Sequence, residues 1–68
     1  MISVASSAIS AVGYEASTKQ MVILFTSGES FTFSRVPKKS FSGLLDSESK
    51  GKYYESHIRN RYRCRQGY

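Results

Sequence analysis

This 68-residue chain contains one cysteine, one histidine and five carboxylate side chains. Each scarcity excludes a class of protein. With Cys64 alone, no disulfide can close within the chain, whereas small secreted folds of this size carry several. A reducing cytoplasm is the compartment this implies. A metal held by His57 and Cys64 would need two or more further ligands, and no second cysteine or histidine exists to supply them. The carboxylates are dispersed, and no pair is spaced for acid–base work. No apolar run approaches the roughly 20 residues of a membrane span, and the opening Met1-Ile2-Ser3-Val4-Ala5 lacks the early basic residues of a signal peptide. There is no internal repeat. The length allows one domain, read here as residues 8–68 behind a small polar lead-in, 1–7. Such a chain buries only about 60% of its unfolded surface, so its core is small. The expectation is a non-enzymatic module without a cofactor.

What the chain has in excess is positive charge: ten Lys and Arg against five Asp and Glu, a net charge of +5. Its distribution matters more than its sum. Residues 1–49 balance Lys19, Arg35, Lys38 and Lys39 against Glu15, Glu29, Asp46 and Glu48. Residues 50–68 set Lys50, Lys52, Arg59, Arg61, Arg63 and Arg65 against Glu55 alone. The whole excess therefore lies in the last segment, together with Tyr53, Tyr54, Tyr62 and Tyr68. A loaded segment of this kind attracts anions.

The pattern reads as a small α+β domain. Residues 8–14 suit a strand. Met21-Val22-Ile23-Leu24-Phe25 is the strongest strand signal, and its two apolar faces predict a central position covered on both sides. Thr26-Ser27-Gly28-Glu29 supplies a hairpin turn in which Gly28 takes positive φ. Phe31 and Phe33 alternate with polar residues, as on a half-buried strand. Pro37 ends that strand and can open a helix. Phe41, Leu44 and Leu45 give the helix one apolar face, and Gly43 weakens it by about 1 kcal/mol relative to alanine. Ser49 caps a second helical stretch over 51–58, pairing Tyr53 with His57 and Tyr54 with Ile58. In 61–65 the alternation predicts a final strand, with three arginines on one face and Tyr62 and Cys64 on the other. The architecture is thus a small antiparallel sheet: a three-stranded meander plus a C-terminal basic strand, with one or two short helices.

The tail offers two kinds of contact to nucleic acid. Lys50, Lys52, Arg59, Arg61, Arg63 and Arg65 can neutralise phosphates, which makes binding salt-sensitive. Tyr53, Tyr54 and Tyr62, with Phe31 and Phe33, can stack on bases or support the surface from beneath. A domain this small needs its large side chains inside, which favours support. The same economy gives His57 a structural role and Cys64 a buried apolar one. Ser49-Lys50-Gly51-Lys52 lacks the spacing of a phosphate loop. The alternative partner is an acidic protein docked on the basic face, with an exposed phenylalanine as anchor.

At Glu48 to Tyr62, Glu-Ser-Lys-Gly-Lys-Tyr-Tyr-Glu-Ser-His-Ile-Arg-Asn-Arg-Tyr, the sequence resembles the KTSC domain. That family takes its name from the C-terminus of some lysyl-tRNA synthetases and includes short stand-alone bacterial and phage proteins. Ser7 to Tyr14 is similar to its S-x-I-x-x-[IV]-G-Y opening. Phe31-Thr32-Phe33 and Val36-Pro37 stand where it has Tyr-x-Tyr and Val-Pro. Two positions depart from it: the central aromatics lack hydroxyls, and Asn60 replaces a glycine. Asn tolerates the left-handed conformation, so the same turn is feasible. The resemblance implies a suspected RNA-binding role and no catalytic residues. It also keeps alive a protein-docking module of phage or prophage origin. Ile58-Arg59-Asn60 is similar to the Ile-Arg-Gly of Sm-like RNA-binding barrels, which makes a partly open barrel with an inserted helix the alternative architecture. A free β edge offers a route to a dimer.

Overall fold

The computed structural model describes residues 2–4 and 6–67. Met1, Ala5 and Tyr68 lie outside the described residues, and with them one tyrosine of the tail. Five antiparallel strands form one sheet: β1 (Ile2–Ser3), β2 (Ile9–Glu15), β3 (Gln20–Phe25), β4 (Ser30–Phe33) and β5 (Cys64–Gln66). Two helices, α1 (Lys38–Asp46) and α2 (Lys50–Tyr53), lie between β4 and β5 in the chain, and α2 runs into a π-helical turn, Tyr54–Ile58. The strands stand in sequence order, so β1 and β5 are the two edges and the sheet is open. A small α+β fold results, not a closed barrel. The lead-in contributes an element of its own, because Ile2 and Ser3 pair with Val12 and Ala11.

Register decides which side chains meet the helices. Tyr14 faces Met21 across β2 and β3, Met21 faces Phe33 across β3 and β4, and Val12 faces Ile23. These side chains share one face of the sheet. Leu44 of α1 and Ile58 of the π turn close over it, and Ile9, Val12, Met21, Ile23, Leu44 and Ile58 are all fully buried. Ile9 and Val12 would point to opposite faces on a regular strand. A register shift between Ile9 and Ala11 turns both inward, leaving Ser10 as the extra residue of a bulge. The Ser10 carbonyl then accepts the Val4 N–H at 3.1 Å, which holds the chain just after β1.

The β3 expectation is half corrected. The strand is central, but the helices cover only its Met21–Ile23 face. Val22 and Leu24 are half-buried on the other face, among Ala11, Gly13 and Thr32. Thr32 on that face is only 3% exposed, and its hydroxyl donates to the Gly67 carbonyl at 2.7 Å.

The turns follow local chemistry. Gly28 sits at φ 97° in the β3–β4 hairpin, closed by the Phe25 N–H donating to the Glu29 carbonyl at 2.8 Å. Pro37 is extended and precedes α1, and its carbonyl accepts the Ser40 N–H at 3.0 Å. The Ser49 hydroxyl accepts from the Lys52 N–H at the start of α2. The helix then widens: the Arg59 N–H reaches back five residues to the Tyr54 carbonyl at 2.8 Å. No helix among the described residues is long and apolar enough to cross a membrane.

Candidate nucleic-acid interface

The predicted basic strand is shorter than its alternation implies. β5 begins only at Cys64, and Arg61 to Arg63 run through an irregular turn. The switch into that turn is Asn60, at φ 63° in the left-handed region. Arg65 pairs with Thr32 and lies on the helix-free face of the sheet, whereas Cys64 pairs with Phe33. Cys64 is exposed rather than buried. The alternation expected over 61–65 holds only for Cys64 and Arg65, because the turn after Asn60 takes residues 61–63 out of the strand.

The three arginines therefore separate. Arg61 and Arg63 line a groove of about 420 Å³ with Ser34, Arg35 and Tyr62. Arg35 comes from a different part of the chain. The Ser34 N–H donates to the Arg63 carbonyl at 2.9 Å, which locks the end of β4 against the turn before β5. Arg35 itself is held at φ 56°. Such a conformation is uncommon for a non-glycine residue and costs energy that the surrounding structure must offset. Arg61 is partly tethered, its Nε donating to the Ser56 carbonyl at 3.3 Å. Tyr62 forms a half-buried wall, with its hydroxyl 3.1 Å from that of Ser40. Three arginines thus line one hollow, with no acidic side chain among the described residues of its lining.

The remaining predicted residues stand elsewhere. Lys50 donates to the Ser47 carbonyl at 2.9 Å, Lys52 is exposed on α2, and neither lines the groove. Arg59 is bound through Nη1 to both oxygens of Glu55, at 2.9 and 3.2 Å. That hydrogen bond, with the carboxylate's charge, raises the Arg59 pKa above its ordinary value. Tyr53, Tyr54 and Phe31 are half-buried and packed against the core, and Phe33 is 1% exposed. Tyr53 stacks on exposed His57 with ring centroids 4.3 Å apart. Burial pushes the Tyr54 hydroxyl pKa up; Cys64 and Glu55 add to the rise and Arg59 opposes it.

Two residues that line hollows here have no signal in the sequence. Arg35 looks like an isolated charge in a neutral body, and the β4–β5 pairing, extended by the Ser34–Arg63 bond, brings it to the tail. Phe25 reads as strand core, but it is the last residue of β3 and remains half-buried.

Fold and groove together define a small α+β domain with an arginine-lined recess. Residues 5–62 match the model of the KTSC domain. The chain belongs to that family. A protein of Tsukamurella paurometabola is 35% identical over 61 residues, spanning 90% of this chain and 91% of its relative. The crystal structure of a KTSC domain protein from Yersinia pestis superposes with a TM-score of 0.93, covering 97% of this chain and 93% of that one at 24% identity. The family match ends before Arg63, Cys64 and Arg65.

Proposed function

We propose that the protein is a non-enzymatic, cytoplasmic binding module for RNA or another single-stranded nucleic acid. The observation that carries this reading is the groove lined by Arg35, Arg61 and Arg63, with no acidic side chain among the described residues of its lining. Guanidinium forks match phosphate oxygens in geometry as well as in charge. The fixed turn around Asn60 and the Arg61 tether reduce the freedom lost on binding. Tyr62 supports the groove and Arg65 extends the positive field across the sheet edge. Phosphate contacts fix register and carry no sequence information, so sequence preference is weak. The exposed thiol of Cys64 suits a reducing compartment.

Titrating labelled single-stranded RNA at two salt concentrations tests this. Three phosphate contacts predict a log–log salt slope of about −2, at about 0.7 per contact. Arg61→Ala with Arg63→Ala removes most of the binding. An absence of binding at low salt, or full binding by that double variant, refutes the proposal.

A second reading rests on the open edge of β5, where Cys64, Arg65 and Gln66 are all exposed. An acidic segment of a host protein adding as a sixth strand would fit that edge, as for a phage-derived docking module. A polyglutamate peptide and an oligonucleotide of equal charge separate the readings by which of them competes for the tail.

A further inference from the structure

Arg59 also lines a second, open hollow of about 480 Å³, walled by Phe25, Phe31 and Tyr54 and rimmed by Glu29 and the Thr26–Ser27 turn. That volume lies within the range of small-ligand sites. Phe25 stands 5.8 Å from Phe31 and 5.2 Å from Tyr54, at interplanar angles of 76° and 74°. Rings set at such angles wall a shallow depression that is widely open to solvent. The next ring in the series, Phe33, lies 6.0 Å from Tyr54 and is buried, whereas these three remain half-buried. The core's aromatic cluster therefore continues outward into a surface that solvent reaches.

The polar groups at the rim narrow the ligand class. The Glu29 carboxylate accepts from the Gln66 amide at 3.3 Å and has capacity for further donors. Arg59 uses Nη1 for Glu55, which leaves Nη2 and Nε as donors. A flat ring with N–H donors and carbonyl or ring-nitrogen acceptors on its edge matches both. An aliphatic ligand would leave the carboxylate unused. A cation would meet Arg59 and the field of a +5 chain. The hollow and the arginine groove also share one turn, because Arg59 and Arg61 are two residues apart and their Cα atoms lie within about 7 Å.

We propose that this hollow takes one unpaired nucleobase, stacked among Phe25, Phe31 and Tyr54 and contacted on its edge by Glu29 and Arg59. The inference rests on the single-strand reading above and adds a base site to it. Base–aromatic stacking is sequence-tolerant, since every base has a π face, so the site grips a strand without reading it closely.

The test is a titration of the intact protein, followed by its amide resonances, with nucleoside 5′-monophosphates and separately with ribose 5-phosphate. The nucleotides are expected to shift Thr26, Ser27, Glu29 and Tyr54, while ribose 5-phosphate shifts only residues of the Arg35–Arg61–Arg63 groove. Tyr54→Leu is expected to remove the hollow's response and weaken single-stranded RNA binding about tenfold, with its salt slope unchanged because no charge is lost. If nucleotides and ribose 5-phosphate perturb the same residues, or neither reaches the hollow, the proposal is overturned. That titration on the unmodified protein decides the matter even if the variant does not fold. Hollow shifts with nucleotides but no binding of RNA would leave the base site standing and remove the strand reading. RNA binding without hollow shifts would do the reverse.

Discussion

The phenol of Tyr53 occupies the space beside Gly43 of α1: a Cβ built on that glycine would stand 2.8 Å from the Tyr53 ring carbon Cζ. The glycine that weakens α1 by propensity is what allows the second helix to lie against the first.

Gly43→Ala therefore tests packing against propensity. The helix gains about 1 kcal/mol from alanine, while forcing a methyl group against a ring held by His57 costs about 1–3 kcal/mol. The expected net effect is destabilisation of about 1 kcal/mol in urea unfolding. In a double-mutant cycle, Tyr53→Leu should recover most of it. A more stable Gly43→Ala single variant would show that α1 and α2 move apart freely.

Arg35 should show stability and binding changing in opposite directions. Its left-handed backbone is strained for arginine and unstrained for glycine. Arg35→Gly is expected to leave the thermal midpoint unchanged or raise it, with at most about 1 kcal/mol gained. The same change removes one phosphate contact, so RNA binding weakens and the salt slope shrinks by about 0.7. Equal losses of both would mean that the arginine is there for packing.

On the single-strand proposal, Glu55 competes with nucleic acid for Arg59. The pair is exposed on both sides, so its loss should hardly move the thermal midpoint. Glu55→Gln frees the guanidinium and removes the one acidic side chain of residues 50–68. RNA affinity should rise several-fold at low salt, with a steeper salt slope. An unchanged slope would place Arg59 outside the path of the strand.

Tyr54 sets an alkaline limit. Burial raises its pKa in the folded protein above the ordinary 10.0. A raised folded-state pKa means that the neutral hydroxyl's contribution is fully present below the unfolded value. It is lost as pH rises from about 10 through the folded pKa. Wild-type stability should therefore fall above about pH 10 more steeply than that of Tyr54→Phe, as followed by denaturant midpoints. Parallel curves would show that the hydroxyl is solvated in the folded state.

Much of the fold is legible locally. The apolar run Met21–Phe25, the Gly28 hairpin, the helix after Pro37 and the left-handed turn at Asn60 each follow from the conformational preferences of a few neighbouring residues. The inward turn of Ile9 and the π-helical step after Tyr53 do not, because an added residue in a strand or helix is selected by what the whole core can bury. The site divides the same way. Charge counting alone located the arginines in the tail.

By itself, the sequence determined that the chain is a small, disulfide-free α+β domain with all its net charge in the last segment. Composition and short-range periodicity are sums over neighbours and need no fold. Only tertiary structure decided which arginines lie together. The β4–β5 pairing, extended by the Ser34–Arg63 hydrogen bond between positions 29 residues apart, places Arg35 beside Arg61 and Arg63. Register against β4 puts Arg65 opposite Thr32 on the helix-free face of the sheet, and Cys64, on an edge strand, is exposed. Those outcomes depend on long-range register and burial, which no local pattern of residues encodes.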